Sequence, residues 1–288
     1  MTPRPLDPST PIRTLSLGYS PCPNDTFIFY ALVHGKIDTG DLKFKEMLLD
    51  VEALNQKAFK GELDITKVSY SAFANLREDY CLLRSGGALG RRCGPLVVAR
   101  ENYSMKYLKG KKIAIPGKLT TAYLLLQLYD PSFKDNVEVM VFSDIMDAVK
   151  NGAVDAGLII HESRFTYKSY GLKKVIDLGE WWEKETGLTI PLGCIIAKRN
   201  MGEDLIHKID GLIKKSILYA MNNKGEPKKY TKEHSQELED SVIEQHINLY
   251  VNDYSIDIGE EGIRAVKRLF EMAEERGIIK RSLVSLFA

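Results

Sequence analysis

Leu15-Ser16-Leu17-Gly18-Tyr19-Ser20-Pro21-Cys22-Pro23-Asn24-Asp25, followed by the apolar run over 26–34, sets the grammar of the chain. Residues 15–19 alternate as a strand, two prolines with Asn and Asp break it, and a helix is expected from Thr26. The same order then recurs. Residues 42–48 read as a second strand, and Val51, Leu54, Ala58 and Phe59 form the stripe of a helix ending near Gly61. A short strand over 64–68 and a helix from about Tyr70 follow. Strands alternating with helices across short connections imply parallel strands covered by helices.

Working outward, residues 81–84 and 95–99 read as two more strands around the loop 85–92. After the polar stretch 100–112 the grammar starts again: strand 112–116, helix 120–129, strand 137–142, helix 144–151 and strand 156–160. Residues 191–197 are strand-like and would carry the chain back to the first unit. The remainder is helical, with apolar stripes at Leu205, Ile209, Leu212, Ile213 and Ile217 and at Ile263, Val266, Leu269, Phe270 and Ala273. The charge-rich segment 224–239 reads as solvated surface. The fold class expected is α/β with two lobes: 1–98 with 198–288 as one lobe plus carboxyl-terminal helices, and 99–197 as a second lobe inserted between two crossing strands. A cleft between such lobes is a favoured place for a small molecule.

Of the 288 residues, 40 are basic and 39 acidic, so the net charge of +1 gives no field to draw nucleic acid or anionic lipid. Cys22, Cys81, Cys93 and Cys194 are far apart and form no C-x-x-C pair, which suits free thiols rather than a zinc site. Residues 1–13 carry four prolines and lack an apolar core of signal-peptide length. No stretch approaches the roughly 18 apolar residues of a membrane span. The expectation is a cytoplasmic protein with a small-molecule partner, no nucleic acid and no membrane, as monomer or homodimer.

His161 ends the run Ala156-Gly157-Leu158-Ile159-Ile160-His161, where a strand that reads as buried stops at an ionisable ring. In open α/β sheets ligands bind beyond the carboxyl ends of strands, and an imidazole there exchanges protons near neutral pH. Three polar loops fall at comparable strand ends, 20–25, 67–70 and 117–121. Asn24 offers an amide, Asp25 an acceptor, and Thr120 and Thr121 hydroxyls; helix capping explains the same residue types equally well. Other signatures fail on spacing. Gly117-Lys118 has Lys112 where a P-loop needs glycine, His161-Glu162 has Phe165 where H-E-x-x-H needs histidine, and the glycines at 86, 87 and 90 miss G-x-G-x-x-G. No metal site is indicated. Trp181, Trp182, Phe165, Tyr167 and Tyr170 could stack on a flat ring or simply fill a core, and Arg164 could meet an anionic substrate or pair with Glu162.

Four stretches, Ser20-Pro21-Cys22-Pro23-Asn24-Asp25-Thr26-Phe27, Arg84-Ser85-Gly86-Gly87-Ala88-Leu89-Gly90, Thr120-Thr121-Ala122-Tyr123 and Leu158-Ile159-Ile160-His161-Glu162-Ser163-Arg164-Phe165-Thr166-Tyr167, closely resemble the 1,4-dihydroxy-6-naphthoate synthase family of the futalosine route to menaquinone. The resemblance runs from about Leu15 to Ala288. It implies a two-lobed fold like the type II periplasmic binding proteins, closing by a hinge. It also implies conversion of cyclic dehypoxanthine futalosine into 1,4-dihydroxy-6-naphthoate, a carbon–carbon lyase reaction without metal or organic cofactor. His161 would be the proton acceptor, and Lys67, Val68, Ser69, Thr120 and Thr121 would contact substrate. Two rivals share the architecture: chorismate dehydratase of the same pathway, and a non-catalytic solute-binding protein.

Overall fold

The computed structural model describes residues 11–236 and 239–288; residues 1–10, the larger part of the proline-rich leader, lie outside the described residues. Among the described residues β1 (Arg13–Tyr19), β2 (Leu42–Leu48), β3 (Ile65–Ser69), β4 (Tyr80–Leu82), β5 (Ala88–Gly90) and the late strand β11 (Ile190–Lys198) build one sheet. The second contains β6 (Leu96–Ala99), β7 (Ile113–Ile115), β8 (Val137–Val139), β9 (Ala156–Ile159) and β10 (Lys173–Asp177). In the first sheet β2 and β3 flank β1 in parallel, and β11 closes antiparallel on β3, β4 and β5. In the second, β8 and β9 flank β7 in parallel, and β6 runs antiparallel between β9 and β10. The chain is therefore two mixed α/β lobes. It passes from the first sheet to the second between Gly90 and Leu96 and returns between Asp177 and Ile190, so β6 lies wholly in the second sheet and β11 wholly in the first.

Local chemistry explains the helices that carry the cleft. Helix Val51–Phe59 starts where the Asp50 carboxylate accepts the amides of Glu52 and Ala53 at 3.0 and 3.1 Å. Helix Thr121–Tyr129 is capped by Thr120, whose hydroxyl accepts from the Tyr123 amide at 3.2 Å. Almost every residue of the latter helix is buried, because both lobes pack around it. One apolar core runs behind the cleft and takes Val68 and Ile196 from the first sheet, Val97, Ile115 and Leu158 from the second, and Trp182, Leu269 and Phe270 from helices. Each such side chain contributes about 1.5–3 kcal/mol on burial. Helix Glu203–Asn222 lays Ile209, Leu212, Ile213 and Ile217 on the first lobe, and helix Gly259–Glu275 packs Leu269, Phe270 and Ala273 into the shared core. At the crossing point the backbones of Gly94 and Gly179 touch: a Cβ on Gly94 would stand 2.4 Å from the Gly179 Cα.

Several expectations need correction. The first helix begins at Pro23, not Thr26: proline occupies the opening turn, where its missing N–H leaves no bond unmade. Asn24 and Asp25 therefore lie inside that turn rather than ahead of it. The strand expected over 137–142 stops at Val139, and Phe142–Asp144 is a 3-10 turn. β5 hides within the glycine-rich loop, and β10 is an edge strand with exposed Lys173 and Lys174, so neither shows alternation. Within 224–236, Tyr230 and Thr231 are buried rather than solvated. No described helix is long and apolar enough to cross a membrane.

Candidate active site

The carboxyl ends of four parallel strands converge on the space between the lobes. β1 leads to Ser20 and β3 ends at Ser69 on one side; β7 leads to Thr120 and β9 to His161 on the other. The cleft holds about 680 Å³ of space including its mouth, which is open to solvent. Its wall includes Asn24, Asp25, Lys67, Val68, Ser69, Thr120, Thr121 and His161, so the expected proton acceptor and the polar-loop residues named with it reach one cavity.

His161 is half-buried and adopts φ 55°, a left-handed conformation that costs of order 1 kcal/mol or more for a non-glycine residue. That turn swings the ring out of the β9 line and into the cleft. The ring sits edge-on to Phe142 at 5.0 Å and lies nearly parallel to the His246 ring at 6.3 Å. Burial pulls its pKa down to about 4; the Asp25 carboxylate opposes that shift and the Lys67 ammonium reinforces it. The imidazole is neutral at pH 7 and has a lone pair to accept a proton.

Opposite it, the Asp25–Lys67 pair is almost fully enclosed, with Nζ 2.7 Å from Oδ1. Asp25 also accepts from the Ser20 hydroxyl at 2.7 Å and from the Asn24 amide at 2.7 Å, and Lys67 donates a second proton to the Gly86 carbonyl at 3.0 Å. Two of the three ammonium protons are thereby committed. Asp25 is thus a counter-ion rather than the helix cap that its position suggested. Asn55 does not line the cleft but orients Ser69: its Oδ1 accepts the Ser69 amide at 2.9 Å and its Nδ2 donates to the Ser69 hydroxyl oxygen at 3.3 Å. The serine keeps its own proton to donate. Both threonine hydroxyls are already engaged. Thr120 donates to the Gly117 carbonyl at 2.7 Å, and Thr121 donates to the Leu192 carbonyl at 2.6 Å while accepting the Ser71 amide at 3.3 Å.

The same contacts hold the lobes together. Glu52 of the first lobe accepts the Leu119 amide of the second at 3.2 Å, and Gly117 approaches so closely that a Cβ there would meet the carboxylate carbon at 2.3 Å. Burial raises the Glu52 pKa, and its bonds from Asn55 and Leu119 oppose the rise.

Other expectations end elsewhere. Arg164 does not line the cleft; it pairs with Asp177 at 2.7 Å and donates to the carbonyls of Gly94 and Arg92, bracing the crossing segment. Trp182 is core, its N–H spent on the Thr189 carbonyl at 3.0 Å, and Trp181 stacks edge-on against Tyr129. Arg84 pairs with Asp257. Nothing in the sequence reading assigned helix Asp240–Tyr250 to the site. Tyr250 lines the wall, and His246 is fully buried behind it, with Nε2 2.9 Å from Asn24 Oδ1. A histidine on the apolar stripe Ile243, Ile247, Tyr250 was the available signal. Cys22, His161 and Glu162 also bring a thiol, an imidazole and a carboxylate within 4.8 Å of one another.

Two lobes closing on a cleft lined at four strand ends define a clamp of the binding-protein type, here equipped with a neutral histidine. The periplasmic aliphatic sulphonate binding protein SsuA of Escherichia coli shares this fold at a TM-score of 0.65 and 14% identity, over 95% of this chain and 90% of its own. The chain belongs to the menaquinone biosynthesis family, which it matches over residues 15–275. It is 52% identical to the 1,4-dihydroxy-6-naphthoate synthase of Thermus thermophilus over 96% of this chain and all of that one. The crystal structure of protein AF1704 from Archaeoglobus fulgidus superposes at a TM-score of 0.87 with 38% identity, covering 92% of this chain and 98% of the other.

Proposed function

We propose that the protein is a carbon–carbon lyase that converts cyclic dehypoxanthine futalosine into 1,4-dihydroxy-6-naphthoate, with His161 as general base. The observation that carries this reading is the neutral imidazole in the cleft, facing a hydroxyl and an ammonium from the other lobe. His161 removes a proton from the carbon next to the substrate ketone. The electron pair moves into an enolate, which expels the sugar-derived fragment, and aromatisation of the second ring makes the step irreversible. The oxygen that gains charge needs donors fixed beforehand. Ser69, held by Asn55, and the remaining proton of Lys67 supply them. Four buried free cysteines fit a reducing compartment, and we place the protein in the cytoplasm.

The test is His161→Ala assayed with cyclic dehypoxanthine futalosine by the absorbance of the dihydroxynaphthoate product. Turnover should fall by about 10² to 10⁴, the usual contribution of positioned proton transfer, while substrate binding persists. Turnover kept within a few-fold would remove His161 from the role of base. Wild-type protein that binds the substrate without forming product would favour a solute-binding protein, and activity on chorismate instead would favour the dehydratase.

A further inference from the structure

Cys22 of the first lobe and His161 and Glu162 of the second bring their donor atoms within 4.8 Å of one another, and Cys22 and Glu162 are almost completely buried. The fully buried His246 stands beside them. Asn24 uses its Nδ2 on the Asp25 carboxylate, so its Oδ1 faces His246 and fixes the proton of that ring on Nε2. This leaves the His246 Nδ1 lone pair, which makes no hydrogen bond among the described residues, 3.9 Å from Glu162 Oε2. A buried imidazole nitrogen with no hydrogen bond, set beside a thiol, a second imidazole and a carboxylate, completes a donor set that a proton or a metal cation could occupy. The neighbouring ammonium of Lys67 is committed to Asp25 and Gly86.

We propose that Cys22, His161 and Glu162, with His246 as the adjacent nitrogen donor, form a binding site for a divalent cation of the zinc class, and that occupancy blocks the base and pins the lobes together. A thiol, an imidazole and a carboxylate are zinc ligands, and the sulfur discriminates against magnesium and calcium. Zinc holds such ligands at about 2.0–2.3 Å, which puts donors roughly 3.3–3.8 Å apart. The observed spread needs a contraction of about 1 Å. Because Cys22 comes from one lobe and His161 and Glu162 from the other, an ion here bridges the cleft. Cys22 gives up its proton to solvent on binding. Burial and the Glu162 carboxylate both push the thiol pKa up, and a cation offsets both. The His161 lone pair is then occupied. Only this blocking effect rests on the assignment of His161 as base; cation binding does not.

The full chain, treated with a chelator and titrated with Co²⁺ alone, should develop a thiolate-to-cobalt charge-transfer band and release a proton, and Zn²⁺ should displace the cobalt. Cys22→Ser should lose the band and weaken Zn²⁺ binding by more than about tenfold, and Glu162→Gln should weaken it likewise. Absence of both band and calorimetric binding up to millimolar metal would mean that protons alone satisfy the cluster, and the site falls. A full band in Cys22→Ser overturns it too. If that variant does not fold, unchanged affinity in Glu162→Gln is the overturning result. Zn²⁺ should also stop wild-type turnover at the concentrations that fill the site; filling without inhibition overturns the ligand role of His161. The cobalt titration is read without substrate, so it can fail while the base assignment stands, and the reverse.

Discussion

Replacing Lys67 with methionine isolates the energetics of the ion pair at the cleft. The side chain keeps nearly its length and loses the ammonium that sits 2.7 Å from Asp25 in an environment with 6% and 3% side-chain exposure. At that distance, and an effective dielectric of 20, the attraction is about 6 kcal/mol, partly offset by the cost of desolvating both ions. The three donors from the loop, the Ser20 hydroxyl and amide and the Asn24 amide, still solvate Asp25, so the net loss should be about 3–5 kcal/mol, the usual result of orphaning one member of a buried pair. For 288 residues the unfolding entropy near the transition is about 0.6 kcal/mol per kelvin. The melting midpoint should therefore drop by about 5–8 °C in scanning calorimetry. The double variant Lys67→Met, Asp25→Asn removes the stranded charge and should regain at least half of that loss. A single variant within about 2 °C of wild type, or a double variant no more stable than Lys67→Met, would show that the pair is not desolvated as described.

Further outcomes concern titration and closure. With the His161 pKa near 4, kcat/KM should hold as pH falls from 7 to about 5 and decline only nearer 4; an acid limb centred at about 6.5, the ordinary histidine value, would contradict a buried neutral base. Burial lowers the folded-state pKa of both His161 and His246, so the unfolded chain takes up protons first, below about 6.5. Stability should be fully present above that pH and fall toward pH 4, by up to about 1.4 kcal/mol per pH unit for each ring. His246→Gln, which keeps a donor for Asn24, should make that fall shallower in denaturant titrations, and an unchanged slope would mean that His246 is already protonated when folded. Gly117→Ala would drive a Cβ into the Glu52 carboxylate; it should cost about 1–3 kcal/mol and raise the radius of gyration in X-ray scattering. Unchanged scattering and stability would show that this contact does not hold the lobes closed.

The order of strands and helices was legible because it depends on neighbours in sequence. Alternation over 15–19 and the helical stripe at Val51, Leu54 and Ala58 are local patterns, and the conversion of strand to loop at His161 is visible as the point where apolar residues stop. The long resemblance supplied the family, and with it the residues that share the cleft. Where a local cue serves two physical ends, it misleads: a carboxylate beside a helix start suggests a cap in Asp25, and tryptophans beside a polar loop suggest a stacking surface. Both cues describe a residue type in its neighbourhood, not its partners.

Partners were decided by the tertiary structure. Asp25 meets Lys67 only because β1 and β3 run parallel with their ends level, and Arg164 reaches Asp177 because β10 folds back along β6. His246 stands 222 positions from Asn24 and joins the site through the packing of a carboxyl-terminal helix against the first. Side-chain periodicity records which face of an element is buried. It does not record what lies across that face, since register, crossing and long-range contact are set by the whole chain minimising its exposed apolar area and unpaired polar groups at once.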